Sequence, residues 1–303
     1  MTTSHILMIR PANFGYNPQT AANNNFQKKL DTDSVQEKAL QEFDNFVALL
    51  RENDVNVMVV EDSSQPHTPD SIFPNNWVSF HEDGTLVLYP MFAENRRLER
   101  EKKVIEQIDQ PFFIRSVTHL ISYEKRNEFL EGTGSMVLDR DHELAYACLS
   151  ARTHPTVLYD FANEMGYQPV LFNATDREGR PIYHTNVMMC VADEYAVICL
   201  EAIPDDFQKK MLLQRMEETE KTVIDISLRQ MEQFAGNMLQ VNNTLGEKLL
   251  VMSASAFKSL RPEQVQLLES FNRILFAPLD TIEQNGGGSA RCMMAEIFLP
   301  EKI

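Results

Sequence analysis

The sequence contains few of the residues that mark specialised protein classes. Its 303 residues include only four cysteines, 11 glycines, 14 prolines and one tryptophan, which excludes a disulfide-rich mini-protein, a collagen-like repeat and a Pro/Gly-rich disordered chain. The cysteines Cys148, Cys190, Cys199 and Cys292 are separated by 42, 9 and 93 positions, a spacing that fits no zinc-binding pattern. The first three lie in apolar, strand-like runs, so we expect buried thiols and a reducing cytoplasm.

Positive charge is also scarce. Lys and Arg number 28 against 44 Asp and Glu, and the net charge of -16 disfavours binding to nucleic acid or to an acidic membrane surface. The N-terminal apolar run covers only residues 6–9 and is ended by Arg10, so we expect neither a signal peptide nor a membrane span. The composition therefore favours a cytoplasmic protein with a small-molecule partner, and it leaves a homo-oligomer possible.

The most informative segment lies near the C-terminus and reads Asn285-Gly286-Gly287-Gly288-Ser289-Ala290-Arg291-Cys292-Met293. Consecutive glycines are retained where the backbone turns unusually or approaches a ligand closely. The charge of Arg291 favours the thiolate form of the adjacent Cys292. Residues 293–299 predict a terminal strand, so Cys292 would be presented at its start by a glycine loop. Such a thiol is a candidate nucleophile, and a small buried apolar side chain is the alternative.

Pairs of strands recur along the chain. Residues 76–80 and 85–89 flank an Asp-Gly turn, which is a strong hairpin signal. Further hairpins are predicted for residues 135–138 with 144–148, 186–190 with 195–199, and 237–241 with 249–252. The fifth unit is represented by the strand that opens at Cys292. When Asn76, Ser135, Asn186, Asn237 and Arg291 are taken as equivalent points, the spacings are 59, 51, 51 and 54 residues. This near-constant period indicates a repeated supersecondary unit.

The segments between the hairpins predict helices. Apolar spacing predicts helices near residues 34–50, 205–220 and 262–270, and a helix from Pro155 to Met165 is bounded by Pro in its first turn and Gly166 after its end. A strand is predicted for residues 55–60. Each unit therefore reads strand-strand-helix-strand, and five units would close into a propeller-like ring. No Pro/Gly/Ser-rich linker interrupts the series, so residues 1–303 are predicted to form a single domain.

Polar side chains stand just before each predicted hairpin. In chain order they are Asp70, Asn75 and Asn76, then Glu131, then His184 and Asn186, then Asn237, and finally Cys292. If the units are pseudosymmetric, these residues converge at one end of the central channel. A thiol, an imidazole and a carboxylate would then supply a nucleophile, a general acid/base and an orienting acid. Taken singly, His184 could be a structural strand residue and Glu131 a turn cap.

Several motifs resemble those of the guanidine-modifying, or pentein, superfamily. The segment Gly286-Gly287-Gly288-x-x-Arg291-Cys292-Met293 resembles the nucleophile motif of arginine deiminases, and Pro69-Asp70-Ser71-Ile72-Phe73-Pro74-Asn75-Asn76 is similar to the substrate loop of dimethylarginine dimethylaminohydrolases. Glu131-Gly132-Thr133-Gly134, Ser150-Ala151-Arg152-Thr153 and His184-Thr185-Asn186 match the superfamily in the same order. Asn13-Phe14-Gly15 and Asn75-Asn76-Trp77 resemble in particular the bacterial citrulline utilisation hydrolases. The resemblance spans nearly the whole chain and implies a fivefold pseudosymmetric α/β propeller.

The resemblance also implies roles for individual residues. It makes Cys292 the nucleophile, His184 the acid/base and Glu131 the orienting carboxylate. It assigns substrate binding to Asp70, Phe73, Asn75, Asn76, Asn186, Arg152 and either Arg96 or Arg97, with the arginines holding the substrate α-carboxylate. A solvated basic pair beside a helix is the alternative for Arg96 and Arg97. No metal or organic cofactor is implied, because a thiol and a proton shuttle suffice.

Two amides depart from the superfamily pattern. Enzymes that act on a charged guanidinium usually carry carboxylates at the positions of Asn76 and, in the deiminases, Asn186. A guanidinium offers only donors, whereas a neutral ureido group offers an acceptor as well, which an amide can complement. The amides therefore favour hydrolysis of citrulline to ornithine, carbon dioxide and ammonia, unless they serve only as turn residues.

Other activities remain open at this stage. The alternatives are hydrolysis of arginine or methylarginine to citrulline, an amidinotransferase, and a non-catalytic binding ring of the same fold. The shared presence of thiol, imidazole and carboxylate counts against the last of these. The charge of -16 also disfavours binding to ribosomal RNA.

Overall fold

The computed structural model describes residues 1–30 and 34–302. Its strands are β1 His5–Arg10, β2 Asn56–Glu61, β3 Val78–Phe80, β4 Thr85–Leu88, β5 Ser116–His119, β6 Val137–Asp139, β7 Leu144–Cys148, β8 Gln168–Phe172, β9 Met189–Val191, β10 Tyr195–Ile198, β11 Thr222–Asp225, β12 Leu239–Asn242, β13 Lys248–Ser253, β14 Arg273–Ala277 and β15 Ala295–Glu296. All of them are short, between two and six residues.

The α-helices are α1 Pro18–Ala21, α2 Val35–Glu52, α3 Glu94–Arg97, α4 Val104–Ile108, α5 Gly132–Ser135, α6 Pro155–Met165, α7 Thr185–Met188, α8 Asp206–Glu218, α9 Leu228–Met231, α10 Ala254–Ser259, α11 Pro262–Glu269 and α12 Asp280–Gly286. Short 3-10 turns occur at Pro74–Asn76, Leu98–Glu101, Ile121–Arg126, Leu200–Ala202 and Ala290–Met293. Among the described residues, no helix combines the length and the apolar character needed to cross a bilayer.

The strands form five three-stranded sheets of the same design. The sheets are β3-β4-β5, β6-β7-β8, β9-β10-β11, β12-β13-β14 and β15-β1-β2. In each, the middle strand pairs antiparallel with the first and parallel with the third. The fifth sheet joins the two ends of the chain, since β15 pairs with β1. The predicted strand-strand-helix-strand period of this mixed α/β fold is confirmed, and the five sheets fit fivefold pseudosymmetry.

Each parallel pair is connected by a helical segment that covers its sheet. In the unit containing β1 and β2, helix α2 fills this role with Phe43, Phe46 and Leu50 fully buried beside Ile6 and Met8. Burying one such side chain contributes about 1.5–3 kcal/mol. Polar positions of α2, such as Glu37 and Arg51, face outward, so the apolar stripe fixes which side of the helix meets the sheet.

The predicted helices and hairpins occur with small shifts in their bounds. Helix α6 begins at Pro155 and ends at Met165, with Gly166 in the left-handed conformation after it, as predicted. The strands predicted to open at Ser135, Asn186 and Cys292 begin later, because α5, α7 and the 3-10 turn Ala290–Met293 precede them. These turns replace the first strand residues because their backbone N–H groups bond to carbonyls within the turn.

Candidate active site

Short helical turns place the candidate residues at the start of the first strand of each unit. Glu131 and His184 are the N-cap residues of α5 and α7, and Cys292 lies in the 3-10 turn that precedes β15. A side chain at Gly134 would come within 2.5 Å of Nδ2 of Asn76 and 2.8 Å of Nδ1 of His184. Glycine at this position therefore lets residues from three units meet.

His184 and Glu131 form a buried hydrogen-bonded pair. His184 Nε2 lies 2.8 Å from Glu131 Oε2, and the two side chains are 2% and 0% exposed. Burial lowers the pKa of His184 to about 4, although the bond to Glu131 opposes this shift. At neutral pH the ring is therefore uncharged, donates through Nε2–H to the carboxylate, and keeps Nδ1 as a free proton acceptor.

Glu131 remains ionised despite its burial. Burial alone raises the pKa of this carboxyl, but the charge of Arg152 and the hydrogen bond from His184 outweigh it and hold the pKa well below the ordinary value. Oε1 accepts a hydrogen bond of 3.0 Å from the Phe92 amide, and Oε2 lies 3.4 Å from Arg152 Nη1. A fixed anion behind the imidazole orients the ring and stabilises it when it takes up a proton.

The glycine segment brings Cys292 to the same point. Helix α12 ends at Gly286, and Gly287 follows with φ of 64°, a left-handed conformation that glycine adopts without strain. The thiol is 3% exposed, and its Sγ lies 3.2 Å from Asn237 Nδ2 and 3.5 Å from Asn186 Nδ2. The amide oxygen Oδ1 of Asn186 is buried and has no hydrogen-bond partner among the described residues.

Two details of the predicted nucleophile segment are corrected. The terminal strand covers only Ala295–Glu296 rather than residues 293–299. The guanidinium of Arg291 donates to the carbonyl of Met294 and, at 3.0 Å, to Glu296 Oε2. Among the described residues, the side chains that donate to the sulfur are the amides of Asn186 and Asn237, while the guanidinium of Arg291 is paired with Glu296.

Arg96 is part of the pocket wall and fixes the amide of Asn76. Its Nη1 lies 2.6 Å from Asn76 Oδ1, while Nε and Nη2 donate to the two carboxylate oxygens of Glu99 at 2.9 and 3.0 Å. Nη2 also donates to the carbonyl of Phe73. With these bonds in place, Arg96 is committed to protein groups and is poorly placed to hold the α-carboxylate predicted for it.

Arg97 does not line the pocket, so of the two arginines predicted as alternatives the structure places only Arg96 at the site. Its Nε and Nη2 donate to the carbonyls of Met91 and Phe92, and its guanidinium lies 5.8 Å from the centre of the Phe129 ring. Neighbouring residues on one helical turn project in different directions, which is why only Arg96 of the pair reaches the pocket.

The predicted substrate loop, residues 69–76, contributes side chains that make different contacts. Among them are Asp70, Phe73 and Asn75. Asp70 Oδ2 accepts hydrogen bonds from Asn17 and Thr20, whereas its Oδ1, buried in the pocket wall, has no partner within the described part of the chain. Burial raises the pKa of Asp70, although the nearby Arg96 opposes the shift. The ring of Phe73 packs on the glycine segment, and Asn75 lies behind the pocket, where its Oδ1 accepts a hydrogen bond from Asn76 Nδ2.

Residues 17–30 cover the opening of the site. The carbonyl of Thr20 and Oδ1 of Asn23 accept hydrogen bonds from Arg152, and Asn24 donates to the carbonyl of Gly287. Thr20 and Asn24 line the small pocket that also contains Cys292 and His184. Since the reacting groups are almost fully buried, a substrate approaching from this side must displace the segment.

Sequence reasoning missed several residues of the pocket. Thr20, Asn24 and Tyr183 line it, and Glu99 supports Arg96. Asn237 was predicted to converge with the other polar residues but was given no role there, and in the structure its amide contacts the thiol. Within residues 1–30 and 34–302, no group of three or more His, Cys, Asp or Glu side chains is arranged to hold a metal ion.

Comparison with known proteins agrees with this geometry. The profile of the family described as N,N dimethylarginine dimethylhydrolase, eukaryotic, matches residues 10–299. The chain belongs to this family. Through it the chain belongs to the pentein superfamily of arginine-modifying enzymes, and it is a hydrolase acting on C–N bonds. No curated protein sequence matches the chain significantly.

Solved structures of superfamily members share the fold at low sequence identity. The chain is similar to the apo structure of ArgZ, an arginine dihydrolase of the cyanobacterial ornithine–ammonia cycle, with a TM-score of 0.77 and 18% identity over 98% of this chain and 41% of that one. It covers 98% of the separate N-terminal domain of ArgZ, seen as a cysteine-to-serine variant bound to substrate, with a TM-score of 0.74 and 18% identity. A dimethylarginine dimethylaminohydrolase adduct matches with a TM-score of 0.67 and 18% identity over 98% of this chain and 100% of that one.

The chain thus spans about two fifths of full-length ArgZ but nearly all of its N-terminal domain. A side-chain nucleophile is activated by a base within hydrogen-bond reach, which is in turn oriented by a third group. In this family member, Cys292, His184 and Glu131 meet at the equivalent starts of three units.

Proposed function

We propose that the protein hydrolyses the ureido group of citrulline to give ornithine, ammonia and carbon dioxide through a covalent adduct on Cys292. The orientation of the Asn76 amide is the main support. Because Arg96 holds Oδ1 at 2.6 Å, the amide is fixed with Nδ2 as the group available to a ligand. One of its hydrogens is directed to Asn75 Oδ1, which leaves the other for the pocket that Asn76 lines.

An N–H donor at this position suits a ureido group better than a guanidinium. A guanidinium carries five N–H donors and a positive charge, so it gains nothing from another donor, whereas the ureido oxygen accepts one. Charge-assisted hydrogen bonds contribute about 1.5–3 kcal/mol each, against about 1 kcal/mol for neutral ones. An amide in place of a carboxylate therefore weakens recognition of a cation. The unpartnered Oδ1 of Asn186 supplies a neutral acceptor beside the thiol.

In the proposed reaction, neutral His184 takes the proton of Cys292 and the sulfur attacks the ureido carbon. A C–S bond forms, and the ureido oxygen gains negative charge that the N–H of Asn76 stabilises. The C–N bond then breaks as His184 returns the proton to the departing amine. Throughout these steps Glu131 stabilises the protonated imidazole.

The second half of the reaction releases the sulfur. His184 removes a proton from water, which attacks the carbonyl carbon of the thiocarbamate. The C–S bond breaks, and His184 returns the proton to the departing sulfur. The resulting carbamate decomposes to carbon dioxide and the second amine, so one water is consumed for each citrulline. Ornithine and ammonia are the two amines, whichever C–N bond breaks first.

The amino-acid end of the substrate needs complementary charges. The free oxygen of Asp70 accepts N–H donors, and the guanidinium of Arg152 becomes available to a carboxylate when residues 17–30 withdraw from it. Arg96 keeps the indirect role of holding Asn76. In this proposal the substrate is therefore a zwitterionic amino acid with a neutral side chain.

Hydrolysis of arginine or methylarginine to citrulline is the second candidate. The family match and the arginine-processing relatives favour it. Within the pocket, the buried carboxylate of Asp70 with one unpaired oxygen is the feature that suits a guanidinium. A non-catalytic role is disfavoured, because a binding ring has no need for Cys292, His184 and Glu131 together.

We further propose that residues 1–303 form one catalytic domain, a fivefold pseudosymmetric α/β propeller working in the cytoplasm. Contacts between the first strands of successive units support the ring, since β6 meets β9, β9 meets β12 and β15 meets β3. The four cysteines carry free thiols, which fits a reducing compartment. Association into a homo-oligomer is compatible with this arrangement.

Replacing Asn76 by aspartate tests the selection of a ureido group. Asn76→Asp removes the donor to the ureido oxygen and adds the charge that a guanidinium requires, with almost no change in size. We expect the ratio of kcat/KM for citrulline to that for arginine to fall by about ten- to a hundredfold. Asn163→Asp, which adds the same charge at an exposed position of α6, is the matched control and should leave the ratio unchanged. An unchanged ratio in Asn76→Asp means that this amide does not face the reacting group.

A further inference from the structure

Both polar atoms of the Asn237 side chain form hydrogen bonds next to the reacting sulfur. Its Nδ2 donates to Cys292 Sγ at 3.2 Å and to the carbonyl of Asn186 at 2.9 Å, and its Oδ1 accepts from the Arg291 amide at 3.0 Å. Asn237 is 0% exposed, so water does not compete for these bonds. All three polar contacts of this amide thus join the fourth unit to the third unit and to the nucleophile segment.

These contacts determine which way the amide points. If it were flipped, Oδ1 would face the carbonyl of Asn186, acceptor against acceptor, and Nδ2 would face the N–H of Arg291, donor against donor. The observed orientation therefore directs an N–H at the sulfur. Gly236 allows this approach, because a side chain there would come within 2.4 Å of the Val187 carbonyl.

A sulfur anion gains more from such a donor than a neutral thiol does. A thiol is a weak acceptor, whereas a hydrogen bond to an ionised acceptor is roughly twice as strong as a neutral one. The nearest cationic side chain in the sequence, Arg291, is paired with Glu296. Among the described residues, the recorded hydrogen-bond donors to Sγ are Asn186 and Asn237, and Asn237 is the nearer.

We propose that Asn237 is a further catalytic residue, whose side-chain N–H stabilises the negative charge on Cys292 Sγ before and during attack. The inference rests on the proposed role of Cys292 as the nucleophile. It assigns to the fourth unit of the fold a contribution to the chemistry, beside those of Asn76, Glu131 and His184.

Alkylation of Cys292 by iodoacetamide tests the proposal without any substrate. In Asn237→Ala the second-order rate constant at pH 7.5 should fall about 10- to 100-fold, and the pH of half-maximal rate should rise. Asn237→Asp, which matches the native shape but replaces the donor with an anion, should react more slowly still. Intact-protein and peptide mass spectrometry would assign the label to Cys292 rather than to the other buried cysteines. Apart from the anion that Asn237→Asp adds, the charged and titratable side chains that line the pocket with Cys292 are the same in every variant, namely Asp70, Arg96, Arg152, Tyr183 and His184, with Glu131 bonded to His184.

A matched variant separates this effect from a general loss of structure. Asn243 is a buried asparagine of the same unit that bonds to the turn between β12 and β13 and is not bonded to Cys292. Asn243→Ala should keep the wild-type alkylation profile. If a folded Asn237→Ala also reacts at the wild-type rate and pH dependence, the proposal is overturned.

The wild-type protein provides a second measurement if the Asn237 variants do not fold. With ¹⁵N-labelled asparagine, the side-chain NH₂ resonances of Asn237 should move with pH in step with the alkylation rate, and this movement should disappear in Cys292→Ser. Resonances that stay fixed would contradict the proposal. Failure to hydrolyse citrulline would leave both measurements unaffected, so the two proposals fail independently.

Discussion

Cys292→Ser is expected to reduce kcat by roughly 10⁴-fold or more while leaving the protein folded. A serine hydroxyl remains protonated at neutral pH and is a far weaker nucleophile than a thiolate, and loss of a covalent nucleophile removes the whole pathway that depends on it. The exchange retains shape, and the hydroxyl oxygen can still accept hydrogen bonds from Asn186 and Asn237. The free energy of unfolding should change by about 1 kcal/mol, because the side chain is small although buried.

The measurement is steady-state turnover combined with urea unfolding. Cys190→Ser is the matched control, since this buried thiol lies away from His184 and should be dispensable for activity. If Cys292→Ser retained a tenth of the wild-type kcat, Cys292 would not be the nucleophile, and Cys190 and Cys199 would need to be tested in turn.

His184→Ala is expected to lower kcat by about 10²- to 10⁴-fold, the usual contribution of a positioned general acid/base. Without the imidazole, neither the departing amine nor the hydrolytic water has a proton carrier. Any residual reaction should therefore stall after attack, and intact-protein mass spectrometry should detect a covalent adduct on Cys292. A wild-type rate would remove His184 from the mechanism.

His184→Gln serves as the control for structure. Its side-chain amide can still donate to Glu131, so the buried carboxylate keeps a partner, but the amide cannot carry a proton at neutral pH. Both variants should be almost inactive, and His184→Gln should be the more stable of the two. A large recovery of activity in His184→Gln would mean that the ring only orients its neighbours.

The repeat was predictable because strand pairs with clear turn signals recur every 51 to 59 residues. The first strand of the fifth unit was predicted near Cys292, whereas its pairing with β1 at the other end of the sequence was not. The helical turns before the strands were not foreseen, because four-residue turns such as α5 and α7 have no periodic pattern of their own. Their effect is nevertheless decisive, since they set the direction of Glu131 and His184.

The residues that carry the chemistry of the site were more predictable than the hydrogen bonds and ion pairs that hold them in place. Residue type and equivalent position selected Cys292, His184 and Glu131, which the structure brings together. Sequence could not separate Arg96 from Arg97, because the direction of each side chain depends on its partners, which are Glu99 for Arg96 and the carbonyls of Met91 and Phe92 for Arg97. Burial raises the pKa of Glu99 to about 7 even though Arg96 opposes the shift, a coupling that only the folded structure reveals.

The cover over the site could not be predicted from local sequence. Asn23 and Asn24 read as loop residues, yet they bond to Arg152 and to the carbonyl of Gly287, which are distant in sequence. Such contacts depend on tertiary structure and leave no local pattern. The asparagine run from Asn23 to Asn25 was the available hint.

The proposed function requires a substrate that carries a neutral ureido group. The most direct test is to incubate the purified protein separately with citrulline, arginine and N,N-dimethylarginine and to quantify ornithine, citrulline, methylamines and ammonia. We expect ornithine and ammonia in equal amounts from citrulline, with a higher kcat/KM than for either guanidine substrate and with no product from Cys292→Ser. Turnover of arginine or dimethylarginine to citrulline, without ornithine from citrulline, would contradict the proposed function.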